Sequence, residues 1–164
     1  MQPRLNFALF LFLFLLGKST IAFPDTWPFS SVYKALRSND TVEINAQLES
    51  LEKTTLSEKD AYTGALMMKL ADLLKSGLEK LSTFKNGRVK LEQSIRKDSL
   101  NAEYRFLRLV IQENVPDFLN YHSKKAEDGK IIRESFGKLP KELQDVIRDY
   151  SKDSRILKPE DFKK

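Results

Sequence analysis

The chain carries a single imidazole, His122, and no cysteine among its 164 residues. Zinc sites draw on several His and Cys ligands, and thiol catalysis needs a cysteine, so composition largely excludes both. His122 follows Tyr121 in a stretch without helical periodicity and reads as an exposed loop residue; its other use would be as a lone acid or base. Carboxylate or serine chemistry is not excluded by counting. Asp72 interrupts an apolar run, where burial would raise its pKa. At about 100° per residue, however, it shares a polar stripe with Lys69, Lys75 and Ser76, and a solvated face is the better reading. There is no Gly-x-Ser-x-Gly elbow, no Gly-rich phosphate loop and no calcium loop. No catalytic residue, metal or cofactor is expected.

Two polar features point to binding. Lys69 to Lys97 holds eight basic residues (Lys69, Lys75, Lys80, Lys85, Arg88, Lys90, Arg96, Lys97) against three acids, Asp72, Glu79 and Glu92. Such a run suits anionic lipid, anionic polymer or an acidic partner, or is the solvated side of helices. Further on, Arg105, Arg108 and Gln112 fall at i, i+3 and i+7, a polar ridge beside Tyr104 on a helix otherwise apolar. Tyr104, Arg105, Arg108 and Gln112 are the candidate binding residues. Paired with Glu103 or Glu113, the same ridge would be a structural ion-pair set.

The elements that must position these residues are helices. Pro28 suits the first turn of a short helix reaching about Arg37 with Val32, Tyr33 and Leu36 inward, and Val42 to Lys53 predicts a second burying Ile44, Leu48 and Leu51. Ser57 to Asp60 resembles a capping box ahead of a third helix reaching Lys75, apolar on two sides and the expected centre of the core. Gly77 is read as its stop. Lys75 to Gly87 reads as a connector in which Leu78, Leu81 and Phe84 form a helical turn, with a break or tight turn at Asn86-Gly87. Arg88 to Lys97 and a helix after Asn101 follow, the latter stopped by Pro116. Asp117 to Tyr121 predicts a single turn, and helices over Lys125 to Phe136 and from Pro140 to Tyr150 complete the set. The highly charged end, with only Ile156, Leu157 and Phe162 to anchor it, reads as a frayed tail. No stretch alternates with period two for long enough to require a strand. The expectation is an all-α fold of six to seven helices packed as antiparallel hairpins.

Residues 1–22 read as an export signal. Arg4 opens it, Leu5 to Leu16 is apolar apart from Asn6, and Thr20-Ile21-Ala22 offers small residues for cleavage after Ala22. The apolar stretch is too short for a spanning helix, so no stable membrane anchor is expected once it is cleaved. Residues 23–152 then form one helical domain and 153–164 a charged tail. Losing Arg4 and Lys18 leaves 26 basic and 23 acidic side chains, a net charge of +3. That balance is too mild, without a motif, for a nucleic-acid binder. Without cysteine there is no lipidation site and no disulfide, which in an exported chain points to a bacterial periplasmic or secreted protein.

Ser94-Ile95-Arg96-Lys97-Asp98-Ser99-Leu100-Asn101-Ala102-Glu103-Tyr104 resembles the junction between tetratricopeptide repeats, where one helical unit ends and the next begins. Ile95, Asp98, Asn101, Ala102, Glu103 and Tyr104 match the pattern; Ser94 and Ser99 depart from the usual Ala and Pro. The likeness covers one unit, residues 57–114, whose spacing is about ten residues longer than the repeat, an excess assigned to the 75–83 connector. It implies stacked helical hairpins and binding of a protein or peptide, with no catalytic residues. The functional expectation is an exported, non-catalytic adaptor with a protein or peptide partner. The alternative is a small envelope enzyme, or a binder of anionic polymer or lipid through the basic middle segment.

Overall fold

The computed structural model describes residues 29–163, and the export signal expected over residues 1–22 lies outside them. The described chain is all-helical. Its seven α-helices are α1 (Phe29–Arg37), α2 (Thr41–Glu52), α3 (Lys59–Leu73), α4 (Gly77–Lys97), α5 (Ala102–Asn114), α6 (Lys125–Ser135) and α7 (Lys141–Tyr150). Short 3-10 turns sit at Asp117–Leu119, Phe136–Lys138 and Pro159–Phe162.

Helix α3 is the centre, as its sequence predicts. Ala61, Tyr62, Ala65, Leu66, Met68 and Ala71 are all buried, which spreads its apolar surface over two sides, and it packs against α1, α2, α4 and α5. Small residues on one side let α4 approach closely. The contacts between the two helices run in opposite order along them. Lys90 pairs with Asp60 at 3.3 Å, Gly87 meets Gly64, and Lys80 Nζ donates to the Asp72 carbonyl at 2.8 Å. The pair is therefore antiparallel.

The connector is only Leu74 to Ser76, and the break expected before Arg88 is absent. Helix α4 is continuous for 21 residues, with Gly77 as its first residue rather than the stop of α3. Ser76 caps it by accepting from the Glu79 N–H at 3.4 Å. Gly87 stays helical because its missing side chain is what the packing requires. A Cβ there would lie 2.6 Å from the Gly64 carbonyl oxygen and 2.9 Å from Met67 Cβ. The ten-residue excess over the repeat-like spacing is thus helix, not loop. Of the three residues expected to form a helical turn there, all lie within α4, Phe84 buried and Leu78 and Leu81 exposed.

Capping explains the other helix starts only in part. Asp40 accepts from the Val42 N–H at 2.8 Å, and Asn101 accepts from the Glu103 and Tyr104 N–H groups at 3.1 Å each. The capping box expected at Ser57 to Asp60 is absent: Glu58 is the N-cap without a side-chain bond, and Ser57 Oγ donates to the Glu58 carboxylate instead.

The C-terminal stretch is not frayed. Glu113 on α5 accepts from Tyr150 OH at 2.9 Å, Ser154 Oγ at 2.6 Å and the Arg155 N–H at 2.7 Å. Ser154 Oγ in turn accepts from the Leu157 N–H at 2.9 Å. Leu157 and Phe162 are buried, and the Phe162 ring lies 4.4 Å from that of Phe136. Arg133 of α6 adds a bond to the Ile156 carbonyl at 3.3 Å and an ion pair with Asp161 at 3.5 Å, so the charged segment is held onto the body of the fold at several points.

Candidate functional site

The ridge on α5 is brought together as its spacing predicts, but it faces inward. Tyr104, Arg105, Arg108 and Gln112 are all buried. Arg108 grips Asp128 of α6 with two bonds, Nε to Oδ2 at 2.8 Å and Nη2 to Oδ1 at 2.7 Å, and reaches Glu92 of α4 at 2.9 Å. Arg105 donates to the same Asp128 Oδ1 at 3.0 Å, to Glu127 at 2.9 Å and to the Ser99 carbonyl. Burial alone would lower the Arg108 pKa; the bond to Asp128 and the charges of Asp128 and Glu92 together outweigh it, and the net direction is upward. Burial, with Glu58, Glu103 and Asp98 nearby, pushes Tyr104 up to about 12. Tyr121 OH donates to the other Glu92 oxygen at 2.7 Å, and Arg88 lies over the Tyr121 ring.

The cations of the ridge are paired, but with Asp128, Glu127 and Glu92 rather than with Glu103 or Glu113. Asp128, fully buried, is the residue that sequence reasoning missed. Its helix shows a carboxylate at the position where apolar periodicity would allow one to face in, yet nothing local marks it as the partner of residues twenty positions earlier. The ridge joins α4, α5 and α6.

Glu103 has a different assignment. Its Oε1 accepts from Tyr33 OH of α1 at 3.0 Å and from Tyr62 OH of α3 at 2.6 Å. Burial pushes this carboxyl up to about 7, against the two tyrosine bonds, which favour the charged form. Its place is a tie between three helices, α5, α1 and α3.

The open surface lies at the other end of α5. A cleft of about 840 Å³ has a floor of Met68, Ala71, Phe84, Val110, Ile111 and Tyr150. Arg37, Lys69, Lys80 and Asp72 stand on its rim, with Leu81 and Phe118 at its mouth. Each wall has a local cause. Helix α3 ends at Leu73, where extended Leu74 turns the chain into α4. Pro116 ends α5 and opens the turn Asp117–Leu119, which Asn120 closes in the left-handed region at φ 48°. Asparagine tolerates that conformation better than most side chains. The turn holds Phe118 79% exposed. His122 pins it from behind: Nδ1 lies 3.0 Å from the Gln112 carbonyl oxygen, and Nε2 lies 3.3 Å from Asp117 without hydrogen-bond alignment. The histidine is thus half-buried rather than an exposed loop residue.

The basic run is divided by the fold. Lys69 and Lys80 reach the cleft rim, Arg88 and Lys90 are engaged by Tyr121 and Asp60, and Lys75, Lys85, Arg96 and Lys97 are exposed. Asp72 is also exposed, as its place in the polar stripe predicts. Among the described residues no group of three or more His, Asp or Glu side chains is placed to hold a metal ion, and no helix is long and apolar enough to cross a membrane. Comparison of the chain with protein-family models, curated proteins and solved structures finds no match. The geometry alone carries the functional reading.

Proposed function

We propose that the chain is an exported, non-catalytic binding protein that takes up an apolar segment of a protein partner in the cleft between α3, α4 and α5. The observation that carries this reading is the cleft itself: an apolar floor, a volume of about 840 Å³, and two large apolar side chains at the mouth. Ligand sites fall in the range of about 300–1,000 Å³ with mostly apolar lining and a few placed polar groups. Large apolar side chains left at such a mouth are typical anchors for a partner. The charged clusters elsewhere, around Asp128, Glu103 and Glu113, are consumed by contacts within the fold. The signal-like residues 1–22 support export.

A random peptide library panned against the protein tests this. Sequences enriched on the wild type and lost on Leu81→Glu and Phe118→Glu support the reading; both positions are exposed, so the charge itself leaves the fold intact. Equal enrichment on all three proteins, or none above background, overturns it.

A second reading, a binder of anionic polymer or lipid, rests on Lys75, Lys85, Arg96 and Lys97, which are exposed and form no ion pair among the described residues. Its signature is binding that weakens steeply with salt and is indifferent to Phe118→Glu.

A further inference from the structure

We infer that the occupant of the cleft is an amphipathic helix with acidic side chains along its flanks. This rests on the reading of the cleft as a binding site and adds the chemistry of the partner.

The conformation follows from what the cleft offers a backbone. Its walls are helices and one 3-10 turn, and the described residues contain no strand, so an extended peptide finds no sheet edge to extend. Laid on a floor of Met68, Ala71, Val110 and Ile111, its N–H and C=O groups would leave water without partners, which is costly. A helix satisfies its own backbone and presents apolar side chains at i, i+3, i+4 and i+7 to a groove. Met68, unbranched and adaptable, suits a floor that must accommodate such side chains.

The charge follows from the rim. Lys69 Nζ is held by the Asn39 side-chain oxygen at 3.0 Å, and Lys80 Nζ by the Asp72 carbonyl at 2.8 Å. Both acceptors are neutral, so both lysines are positioned while their charges stay uncompensated. Arg37 pairs with Asp149, which it shares with Lys152, and the two lysines face the single exposed carboxylate of Asp72. The lysines are tied in different directions, Lys69 of α3 towards the α1–α2 connection and Lys80 of α4 across to α3. A lone lipid headgroup is best met by cations converging on one point; cations held apart fit acidic residues spaced along a helix.

Fluorescence anisotropy with three labelled synthetic peptides tests this. All carry leucine at i, i+3, i+4 and i+7, and their flanks are Glu, Gln or Lys. The Glu peptide is expected to bind at least about ten-fold more tightly than the Lys peptide, to gain helical circular dichroism on binding, and to lose most of its preference at high salt. The preference should shrink in the double variant Lys69→Gln, Lys80→Gln, whose melting is checked alongside; the peptide series on the wild type stands whether or not that variant folds. Equal binding of all three peptides, tighter binding of the Lys peptide, or a bound Glu peptide without helix overturns this inference and leaves the cleft reading intact. No peptide binding overturns both, and sedimentation with phosphatidylglycerol vesicles in that case assigns the surface to lipid.

Discussion

Gly64 of α3 and Gly87 of α4 meet at the closest approach of the two helices, and the carbonyl oxygen of each lies 2.6 Å from where a Cβ would stand on the other. Real Cβ atoms do not come so close to backbone oxygen. Either Gly64→Ala or Gly87→Ala therefore pushes the helices apart at the centre of the core. We expect a loss of about 1–3 kcal/mol or more for each, against the gain of roughly 1 kcal/mol that Gly→Ala brings inside an uncrowded helix. Thermal melts decide it. A melting temperature unchanged or raised by Gly87→Ala would mean that the helices do not touch there.

How much was legible follows from the same pair. The helical class, the centrality of α3 and the start of α5 at Asn101 are local properties, written in periodicity and capping, and the sequence shows them. Asn86-Gly87 misleads because a glycine in one helix interior reads as a break unless its partner is seen. The available signal was the second glycine, Gly64, on the small-residue side of a strongly apolar helix. Likewise Arg105, Arg108 and Gln112 are visible as one face, but their burial depends on Asp128 arriving from α6. The cleft was illegible because Leu78, Leu81 and Phe84 share a helical turn and only the last faces in. Which of three leucine-like residues meets the core is set by the helix–helix crossing, not by hydrophobicity.

Asp128 holds two guanidinium groups while itself 0% exposed. Removing the carboxylate leaves both arginines buried without their main partner. Asp128→Ala should cost about 3–5 kcal/mol, whereas a triple apolar replacement, Arg105→Met, Arg108→Met and Asp128→Leu, should recover much of it. Denaturant unfolding measures both. A small effect of Asp128→Ala would show that the pairs are dispensable.

Glu103 makes stability depend on pH in an unusual direction for a carboxylate. Its pKa is raised from 4.5 to about 7 on folding, so the folded state holds the proton more tightly. Its contribution is complete below about pH 4.5 and is lost as pH rises through about 7, with an order of magnitude of roughly 3 kcal/mol across the window. The wild type should melt lower at pH 8 than at pH 5, and Glu103→Gln, which mimics the protonated form, should flatten that difference. A slope identical in the two proteins contradicts the assignment.

The C-terminal segment is an integral part of the fold. Deleting residues 153–164 removes Leu157 and Phe162 from the core and leaves Glu113 with Tyr150 alone among its three donors. Burying two large apolar side chains is worth about 1.5–3 kcal/mol each, so the truncated chain should be several kcal/mol less stable. Phe162→Ala alone tests one side of this. A truncation that melts like the full chain would return the segment to a frayed tail.

The proposed binding surface is the cleft between α3, α4 and α5. Amide chemical-shift mapping of the ¹⁵N-labelled protein, titrated with the Glu-flanked leucine peptide, tests it most directly. The largest shifts are expected on Ala71, Leu81, Val110, Ile111 and Phe118, and should vanish for Phe118→Glu. Shifts confined to Lys85, Arg96 and Lys97, or no saturable shifts at all, would contradict it.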